Sequence, residues 1–390
     1  MNARVGIAWP VNLHSGWGLL GLNIAVELHR TGARQPVFLG PALKVADPLL
    51  SRSLHTVIEG SESWRLPDAG EGQTRDLPYP VLHSIGTDLM RTPVGMPYTG
   101  SPNIGIVFIE HSVISKEAIE RARSYRLLVA GSQWNLEMLR AAKIGPVTLW
   151  QQGVDLSRFH PAPSRRLFRN RFVVFSGGAL QLRKGQDIVA KAFRVFHQRH
   201  DDALLIAAWG NQYPQIARSI LMAAVPSPFY PEGPDKLDIA QWLVALGLPP
   251  HSFISLPLMG NLAFPDIMRQ ADVALFPNRA EGGTNLVAME AMACGVPCIL
   301  SPGTGHRDLI ELFPSYPLEF APYGPNPRLR LGHQGWCEVS VEEVVATLEA
   351  VYTSPDEARR VGSEAALKMV EWSWEKQVPR LLADVNRVLD

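Results

Sequence analysis

The stretch "DVALFPNRAEGGTNLVAMEAMACGVPCILS" (residues 272–301) has the pattern of a strand, a loop, a helix and a second strand. The helix candidate "LVAMEAMAC" follows Thr284 and Asn285, and either residue type can cap the start of a helix. Gly295 and Pro297 are expected to end that helix. A strand that leads through a helix into another strand is the building unit of a parallel sheet. The stretch therefore predicts an α/β fold.

Short apolar runs alternate with helical patterns along most of the chain. The strand candidates are "RVGIAW", "RQPVFLG", "YPVLHS", "NIGIVFI", "YRLLVAG" and "PVTLW" in the first half, and "FVVFSGG", "ALLIAAWG", "FISLPL", "DVALFPN" and "PCILS" in the second. Between these sets, "GVDLSRFHPAPSRRLFRNR" is basic, contains prolines and lacks periodicity. Since 390 residues exceed what one core usually supports, we expect two α/β domains divided near residues 156–171. Helical patterns near 340–352, 355–370 and 374–389 close the chain.

Composition excludes several classes of protein. The 37 basic and 37 acidic residues balance, which gives no global reason to expect nucleic acid as a partner. No window reaches the roughly 18 apolar residues of a membrane span, and the start lacks the pattern of a secretory signal. Cys294, Cys298 and Cys337 are too few for a disulfide framework and lack the spacing of a zinc site. These features favour a cytoplasmic location.

A glycine-rich segment near the start raises the question of a dinucleotide cofactor. Gly16, Gly18 and Gly21 in "SGWGLLG" have the G-x-G-x-x-G spacing. In a dinucleotide fingerprint the first glycine follows the strand almost directly, and an acidic residue ends the second strand. Here six residues separate the strand from Gly16, and "RQPVFLG" ends without an acid. The segment is either a turn that starts a helix or a loop that contacts a ligand.

A second glycine loop suits a diphosphate. In "FVVFSGGALQLRKGQD", Gly178 lies at the carboxyl end of a strand candidate, and Arg183 and Lys184 lie at the start of a helical pattern. Small residues permit close backbone approach, and cations beside a helix start attract phosphate oxygens. The alternative is a solvated pair of cations.

Glu290 is the one charged residue in the apolar helix pattern of "LVAMEAMAC". A helix that is apolar all round is buried, and a buried carboxylate needs hydrogen-bond donors or a cation. The two hydroxyls of a ribose could satisfy it. The alternative is an ion pair with Arg279 or Arg307. Glu281 lies in the preceding loop, where it is either part of the site or a solvated surface acid.

The segment "NRAEGGTNLVAMEAMACGVPCILS" resembles the nucleotide-sugar signature of retaining glycosyltransferases of family 4, also called glycosyl transferases group 1. The likeness covers nearly the whole chain. Four further segments match family signatures in the family's order: "SGWGLLGLNIAVELHRTG", "QQGVDLSRFHP", "SGGALQLRKGQD" and "WSWEKQVPRLL". Together these are far more specific than any one of them.

The resemblance implies the GT-B architecture, in which two Rossmann-like domains face each other across a donor cleft. Residues 1–158 would form the acceptor-side domain, 159–171 the linker and 172–370 the nucleotide-sugar-binding domain. Residues 371–390 would form a C-terminal helix that packs back towards the first domain.

The resemblance also implies roles for single residues. Lys184 matches the diphosphate-binding lysine, and Glu290 matches the second glutamate of the E-x7-E motif, which binds the ribose. Glu281 would be the first glutamate, near the donor sugar. The loop that contains Gly16 and Gly18 would face the cleft near the donor phosphates, with no nicotinamide involved. The remaining implied donor contacts are Gly178, Arg183, Gly282, Gly283, Thr284, Asn285 and Leu286.

Two departures from the family pattern concern the donor site. Eight residues separate Glu281 from Glu290 instead of seven, so either Glu281 or the Gly282 position takes the role of the first glutamate. The arginine expected two positions after the start of the phosphate loop is Ala179 here, and Arg183 is a candidate to replace it.

The implied reaction moves a sugar from a nucleoside diphosphate to a hydroxyl of a glycan, a lipid-linked sugar or a small molecule. No D-x-D motif occurs, so we expect neither a metal nor a cofactor. Glu110 and His111 follow a strand candidate, and His111 is a candidate to reach the donor sugar. The alternative for His111 is a surface or core histidine that is hydrogen-bonded locally. Peripheral membrane association is an open expectation. The alternative functions are a catalytically silent nucleotide-sugar-binding protein and a GT-B epimerase or phosphorylase.

Overall fold

Over the residues that the computed structural model describes (4–40, 55, 73–163, 165–230, 233–324 and 333–389), the chain forms two six-stranded parallel sheets. The sheets lie in two compact units. The first unit contains Met1–Ile109, Val113–Gly153 and Trp372–Asp390. The second contains Glu110–Ser112 and Val154–Glu371.

The first unit is built around one parallel sheet in the order β2-β1-β4-β6-β7-β8. Its described strands are β1 (Arg4–Ile7), β2 (Gln35–Phe38), β3 (Arg75–Leu77), β4 (Val81–Ile85), β5 (Tyr98–Gly100), β6 (Asn103–Val107), β7 (Leu127–Ala130) and β8 (Val147–Leu149). Its helices α1 (Gly16–Thr31), α2 (Lys116–Ala122) and α3 (Gln133–Ala141) connect the strands. The central strands β4 and β6 are buried along their whole length, as is usual for parallel strands covered on both faces.

The second unit repeats this plan with the strand order β13-β10-β9-β14-β15-β16. Its strands are β9 (Phe172–Gly177), β10 (Ala203–Ala208), β11 (Phe229–Tyr230), β12 (Gly233–Leu237), β13 (Phe253–Ser255), β14 (Val273–Phe276), β15 (Cys298–Leu300), β16 (Tyr316–Pro317), β17 (Ala321–Pro322) and β18 (Cys337–Glu338). Its helices are α4 (Gln186–His197), α5 (Ile239–Ala245), α6 (Phe264–Met268), α7 (Leu286–Ala293), α8 (His306–Leu312), α9 (Val341–Thr353) and α10 (Pro355–Met369). The core contains fully buried aromatic residues, among them Phe193, Phe196 and Trp209.

The residues predicted as a linker, 159–171, lie in the second unit, within its long segment Val154–Glu371. Arg269 donates to the main-chain carbonyl oxygens of Arg158 and His160, at 2.7 and 3.1 Å. The main-chain N–H of Leu167 donates to the side chain of Gln270 at 2.8 Å. These bonds attach the segment to the loop before β14.

The last helix, α11 (Trp374–Arg387), belongs to the first unit. The indole N–H of Trp150 donates to the carbonyl oxygen of Gln377 at 2.7 Å, and the hydroxyl of Thr148 donates to Asp384 at 2.8 Å. Since β8 supplies Thr148 and Trp150 follows that strand, α11 is fastened to one edge of the sheet. The chain thus returns to its first unit after completing the second.

The order of strands in the second sheet determines where a ligand site is expected. From β9 the chain moves outward through β10 to β13, then returns to the other side of β9 with β14 and continues to β16. In such doubly wound sheets, ligands bind at the carboxyl ends of the strands where the direction of winding reverses. That point lies between β9 and β14, which pair in parallel through Val273 with Val174.

Candidate active site

Two loops meet at the point where the second sheet reverses its direction. One follows β9 and ends in a 3₁₀ turn over Leu182–Lys184, and the other leads from β14 to α7. The main-chain N–H groups of Arg279 and Ala280 both donate to the carbonyl oxygen of Arg183, at 2.7 and 3.1 Å. The two sequence segments expected to bind a diphosphate and a sugar are therefore adjacent.

Glycines permit this close packing. Gly178 has φ of +114°, and a Cβ atom there would lie 3.9 Å from Cε of Lys184. Gly185 has φ of +71°, and its Cβ would lie 2.2 Å from the carbonyl oxygen of Pro277. Gly185 interrupts the chain between the 3₁₀ turn and α4, so Arg183 and Lys184 precede the helix. The sequence predicted that these cations lie at the start of the helix. They lie instead in the 3₁₀ turn, Leu182–Lys184, that comes just before it.

The carboxylate of Glu281 lies between the two cations. Arg183 Nη1 is 3.0 Å from Glu281 Oε2, and Lys184 Nζ and the side-chain amide of Asn278 both donate to Oε1. Burial alone would raise the pKa of Glu281, but Lys184 and Arg183 hold it at about 2. The carboxylate is therefore ionised at neutral pH. Glu281 is buried, so it is not the solvated surface acid that the sequence left possible.

At Lys184 the effect of burial on the pKa outweighs that of the neighbouring charge, whereas at Glu281 the neighbouring charges outweigh burial. Burial lowers the pKa of Lys184 below its ordinary value, while the neighbouring Glu281 raises it. The ammonium group thus depends on nearby negative charge, a property that suits a residue expected to hold a diphosphate.

Glu110 is a fourth charged residue in this cluster and belongs to the second unit through the Glu110–Ser112 segment. Its Oε1 lies 2.9 Å from Arg183 Nε. Burial raises the pKa of Glu110, while Arg183 lowers it. His111, the next residue, is buried, and its predicted role near the donor sugar stays a prediction.

Arg279 fixes the loop that carries Glu281. Its guanidinium donates two hydrogen bonds to the carboxylate of Asp187, at 2.7 and 2.9 Å, and two to that of Glu338, at 2.7 and 2.9 Å. A fifth bond, of 2.7 Å, goes to the carbonyl oxygen of Leu182. The sequence had offered Arg279 as a partner for Glu290, and that interpretation is wrong. Its actual partners lie far away in sequence, so only the folded chain reveals them.

The loop before α7 is held by a segment that the sequence gave no reason to select, residues 301–306. The main-chain N–H of Glu281 donates to Thr304 Oγ1 at 2.7 Å, and the N–H of Gly305 donates to the carbonyl oxygen of Glu281 at 3.0 Å. A Cβ at Gly305 would lie 1.9 Å from the carbonyl oxygen of Gly283. The predicted donor contacts Gly282, Gly283, Thr284, Asn285 and Leu286 are all buried in this arrangement.

Asn285 occupies the N-cap position of α7, with φ of +62°, but its side chain does not cap the helix. Its Nδ2 donates to His306 Nε2 at 3.0 Å, and His306 Nδ1 donates to the carbonyl oxygen of Ser301 at 3.2 Å. The hydroxyl of Thr284 bonds to the sulfur of Met289 instead of capping. Burial lowers the pKa of His306 to about 4, so the imidazole is neutral. The predicted side-chain cap is wrong because His306 takes the side chain of Asn285 and Met289, within α7, takes that of Thr284.

Glu290 is buried on α7, as the apolar pattern predicted. The amide Nδ2 of Asn261 donates to its Oε1 at 2.6 Å. Burial raises the pKa of Glu290 to about 8, against the lowering effect of this hydrogen bond. A carboxyl group held in so apolar a place is the kind of group that substrate hydroxyls satisfy.

Gly16 and Gly18 lie in the first unit at the start of α1. Ser15 caps the helix by accepting from the N–H of Gly18 at 3.1 Å. A Cβ at Gly18 would lie 2.4 Å from the side chain of Asn12, and one at Gly21 would lie 2.7 Å from Trp9. Local packing therefore explains two of the three glycines, and the predicted ligand contact stays a prediction.

The described residues also bear on metal binding, disulfide bonds and membrane spans. Among the described residues, no group of three or more His, Cys, Asp or Glu side chains has an arrangement that could hold a metal ion. Cys294, Cys298 and Cys337 are each buried with a free thiol. Within the described part of the chain, no helix is long and apolar enough to span a membrane.

Comparisons with known proteins fit this geometry. Residues 162–313 match the family model "Glycosyl transferases group 1", and residues 263–381 match "Family 4 Glycosyltransferase in conflict systems". No curated protein matches the sequence.

Solved structures share the fold at low identity. Sucrose-phosphate synthase from Thermosynechococcus elongatus aligns with a TM-score of 0.64 and 15% identity over 99% of each chain. HepE from Anabaena, in complex with UDP and glucose, aligns with a TM-score of 0.62 and 14% identity over 99% of this chain and 100% of its own. A trehalose-6-phosphate synthase, studied for glycosyltransfer with retention, aligns with a TM-score of 0.57 and 14% identity over 88% of this chain and 80% of its own. The predicted resemblance and the predicted GT-B fold are confirmed.

Proposed function

We propose that this chain, a glycosyltransferase with a group 1 family domain and the GT-B fold, transfers a sugar from a nucleoside diphosphate to a hydroxyl acceptor with retention of configuration and without a metal ion. The observation that carries the proposal is the pair of half-buried cations, Arg183 and Lys184, at the carboxyl ends of β9 and β14. A half-buried cation pair beside a glycine loop is suited to an anion with several oxygens.

The diphosphate is assigned to Lys184, Arg183 and the backbone beside Gly178. Gly178 has φ of +114°, which other residues rarely adopt, and its Cα lies beside the Lys184 side chain, so the backbone there is open to a ligand. Arg183 supplies the guanidinium that Ala179 cannot, since its Nε faces an oxygen of Glu110 that a phosphate could replace. Fixed cations of this kind stabilise the charge that develops on a leaving diphosphate.

Glu290 is assigned to the ribose and Glu281 to the donor sugar. The hydroxyls of a ribose are donors, and the ionised form of Glu290 would accept both. Glu281 is already ionised, and Asn278 and the cations fix its orientation. It would accept hydrogen bonds from sugar hydroxyls, and the adjacent loop from Gly282 to Asn285 would line the same pocket.

The transfer step follows from these assignments. The acceptor oxygen forms a bond to the anomeric carbon as the bond from that carbon to the phosphate oxygen breaks. The acceptor's hydroxyl proton passes to the leaving phosphate oxygen, so no enzyme nucleophile is required. Attack and departure take place on the same face of the sugar, which preserves its configuration. The study of glycosyltransfer with retention in trehalose-6-phosphate synthase supports the same-face step, and the UDP complex of HepE supports a nucleoside diphosphate as the leaving group.

A transfer assay in the presence of EDTA tests the proposal. UDP-, GDP- and ADP-sugars are combined with glycan, lipid-linked and small-molecule acceptors, and the nucleoside diphosphate released is measured together with the anomeric configuration of the product by NMR. We expect release that depends on one donor and one acceptor class, with the donor's configuration kept. An inverted product would contradict retention, and activity that requires added Mg²⁺ would contradict metal independence.

Other outcomes of this assay would indicate a different function for the chain. Donor binding without release for any acceptor would indicate a catalytically silent nucleotide-sugar-binding protein. Turnover that depends on inorganic phosphate would indicate a phosphorylase, and conversion of the donor without an acceptor would indicate an epimerase.

A further inference from the structure

We propose that Glu110 competes with the donor diphosphate for Arg183 and thereby weakens nucleotide binding, so that the nucleoside diphosphate product can leave. The inference rests on the proposed function for the role of Arg183. It adds a residue that the family resemblance does not assign.

Arg183 is shared between two carboxylates. Its Nε lies 2.9 Å from Glu110 Oε1, and its Nη1 lies 3.0 Å from Glu281 Oε2. Two cations and two anions therefore stand together, and the net charge of Arg183, Lys184, Glu110 and Glu281 is zero when all are ionised. A cluster with no net charge attracts a diphosphate only weakly. The attraction becomes strong when one carboxylate moves away from the cations.

The two carboxylates differ in how readily they can move. The Glu281 side chain is 6% exposed and is also held by Lys184 and Asn278. The Glu110 side chain is 33% exposed. Because water can solvate Glu110 after a side-chain rotation, Glu110 is the carboxylate that gives way, and Glu281 stays to meet the sugar.

The main chain of Glu110 is anchored. The indole N–H of Trp336 donates to the carbonyl oxygen of Glu110 at 2.6 Å, and the N–H of Ser112 donates to the carbonyl oxygen of Gln334 at 2.7 Å. The carboxylate therefore stays within reach of Arg183 while its side chain turns. It can return to the guanidinium when the diphosphate departs.

Binding measurements with EDTA present test the competition. Titration calorimetry with inorganic pyrophosphate, and with the best-binding member of UDP, GDP and ADP, compares the wild type with Glu110→Gln. Glutamine keeps the shape and a hydrogen-bond acceptor but removes the charge. We expect both ligands to bind about 2–5-fold more tightly to Glu110→Gln, the range typical of a partly exposed ion pair, and the nucleotide to dissociate more slowly.

Two controls separate competition from a general effect of charge. Glu349→Gln removes the same charge from another half-buried ion pair of the second unit, that with Arg199 at 3.2 Å, and is expected to leave both affinities unchanged. In an Arg183→Met background, Glu110→Gln is expected to have no effect, since the contested cation is gone.

Each result decides the matter. Unchanged or weaker binding by Glu110→Gln would overturn the inference, and so would equal tightening with and without Arg183. If pyrophosphate binds but no nucleotide does, the proposed function fails. The competition for Arg183 is then decided by the pyrophosphate affinities of the wild type and Glu110→Gln alone. If neither ligand binds the wild type, both fail.

Discussion

Glu290 is a carboxyl group in a helix whose other residues, "LVAM" and "AMA", are all apolar. The side chain has the amide of Asn261 as a hydrogen-bond donor. Burial raises its pKa to about 8 from an ordinary value of 4.5, so the unliganded protein holds this proton where an unfolded chain would release it. Burying this carboxyl group therefore lowers the free energy of unfolding at neutral pH.

This difference gives a pH dependence with a definite sign. Below pH 4.5 both states are protonated, and between about 4.5 and 8 the unfolded chain alone loses the proton, so stability falls as pH rises. Glu290→Gln cannot titrate. We therefore expect it to be about as stable as the wild type near pH 4.5 and more stable by about 1–3 kcal/mol at pH 8.

Thermal unfolding of both proteins across this pH range measures the difference in stability between Glu290→Gln and the wild type. The exposed Glu120, which pairs with Arg123 on α2, supplies the matched control, and Glu120→Gln is expected to show no comparable trend. If the stability difference between Glu290→Gln and the wild type stays constant or shrinks as pH rises, the carboxyl group of Glu290 is not held in the protonated form.

Among the elements, the loop before α7 depends on the segment 301–306 packed behind it. Gly305 has φ of −68°, so an alanine there meets no conformational obstacle. The obstacle is space, since its Cβ would lie 1.9 Å from the carbonyl oxygen of Gly283 and 3.0 Å from that of Glu281. The glycine is needed for contact between the two segments.

Gly305→Ala is expected to displace the loop that carries Glu281. We expect a loss of about 1–3 kcal/mol in the free energy of unfolding and at least about a tenfold loss in transfer rate. Gly324→Ala is the matched control, because its Cβ would meet no atom within 4 Å, and it should stay within about 0.5 kcal/mol of the wild type. Wild-type rates in Gly305→Ala would show that the position of this loop does not matter for transfer.

The sequence predicted elements better than it predicted contacts. The apolar runs located the strands of both sheets except the edge strand β16, Tyr316–Pro317, which is too short to form an apolar run. The helical patterns near the end correspond to α9, α10 and α11. These depend on periodicities that neighbouring residues determine. The pattern of "LVAMEAMAC" predicted that Glu290 would be buried, because burial follows from the residues of the same helix.

The contacts that organise the site could not be predicted in this way. Glu281 meets Lys184 and Arg183 across nearly a hundred residues, and Arg279 meets Asp187 and Glu338. Side chains with several possible partners choose among them only when strand order has brought the loops together. The predicted cap at Asn285 failed for the same reason, since His306 takes its side chain.

For the whole molecule, the winding of the second sheet links the fold to the site. The chain places β9 and β14 side by side, and this alone brings a cation-bearing loop to a loop with an ionised carboxylate. The first unit has the same kind of sheet, and its α1 starts at Gly16 in the connection between β1 and β2. We propose that the loops of the second sheet bind a nucleoside diphosphate through Lys184.

The most direct test is titration calorimetry of UDP, GDP and ADP in EDTA with the wild type, Lys184→Met and Lys191→Met. Lys191 is a half-exposed cation of α4 that lies 3.7 Å from Asp187, so its variant removes the same charge nearby. We predict that one nucleoside diphosphate binds the wild type and Lys191→Met with similar affinity and binds Lys184→Met at least about tenfold more weakly. Equal affinity for all three proteins, or no binding of any nucleoside diphosphate, would contradict the account.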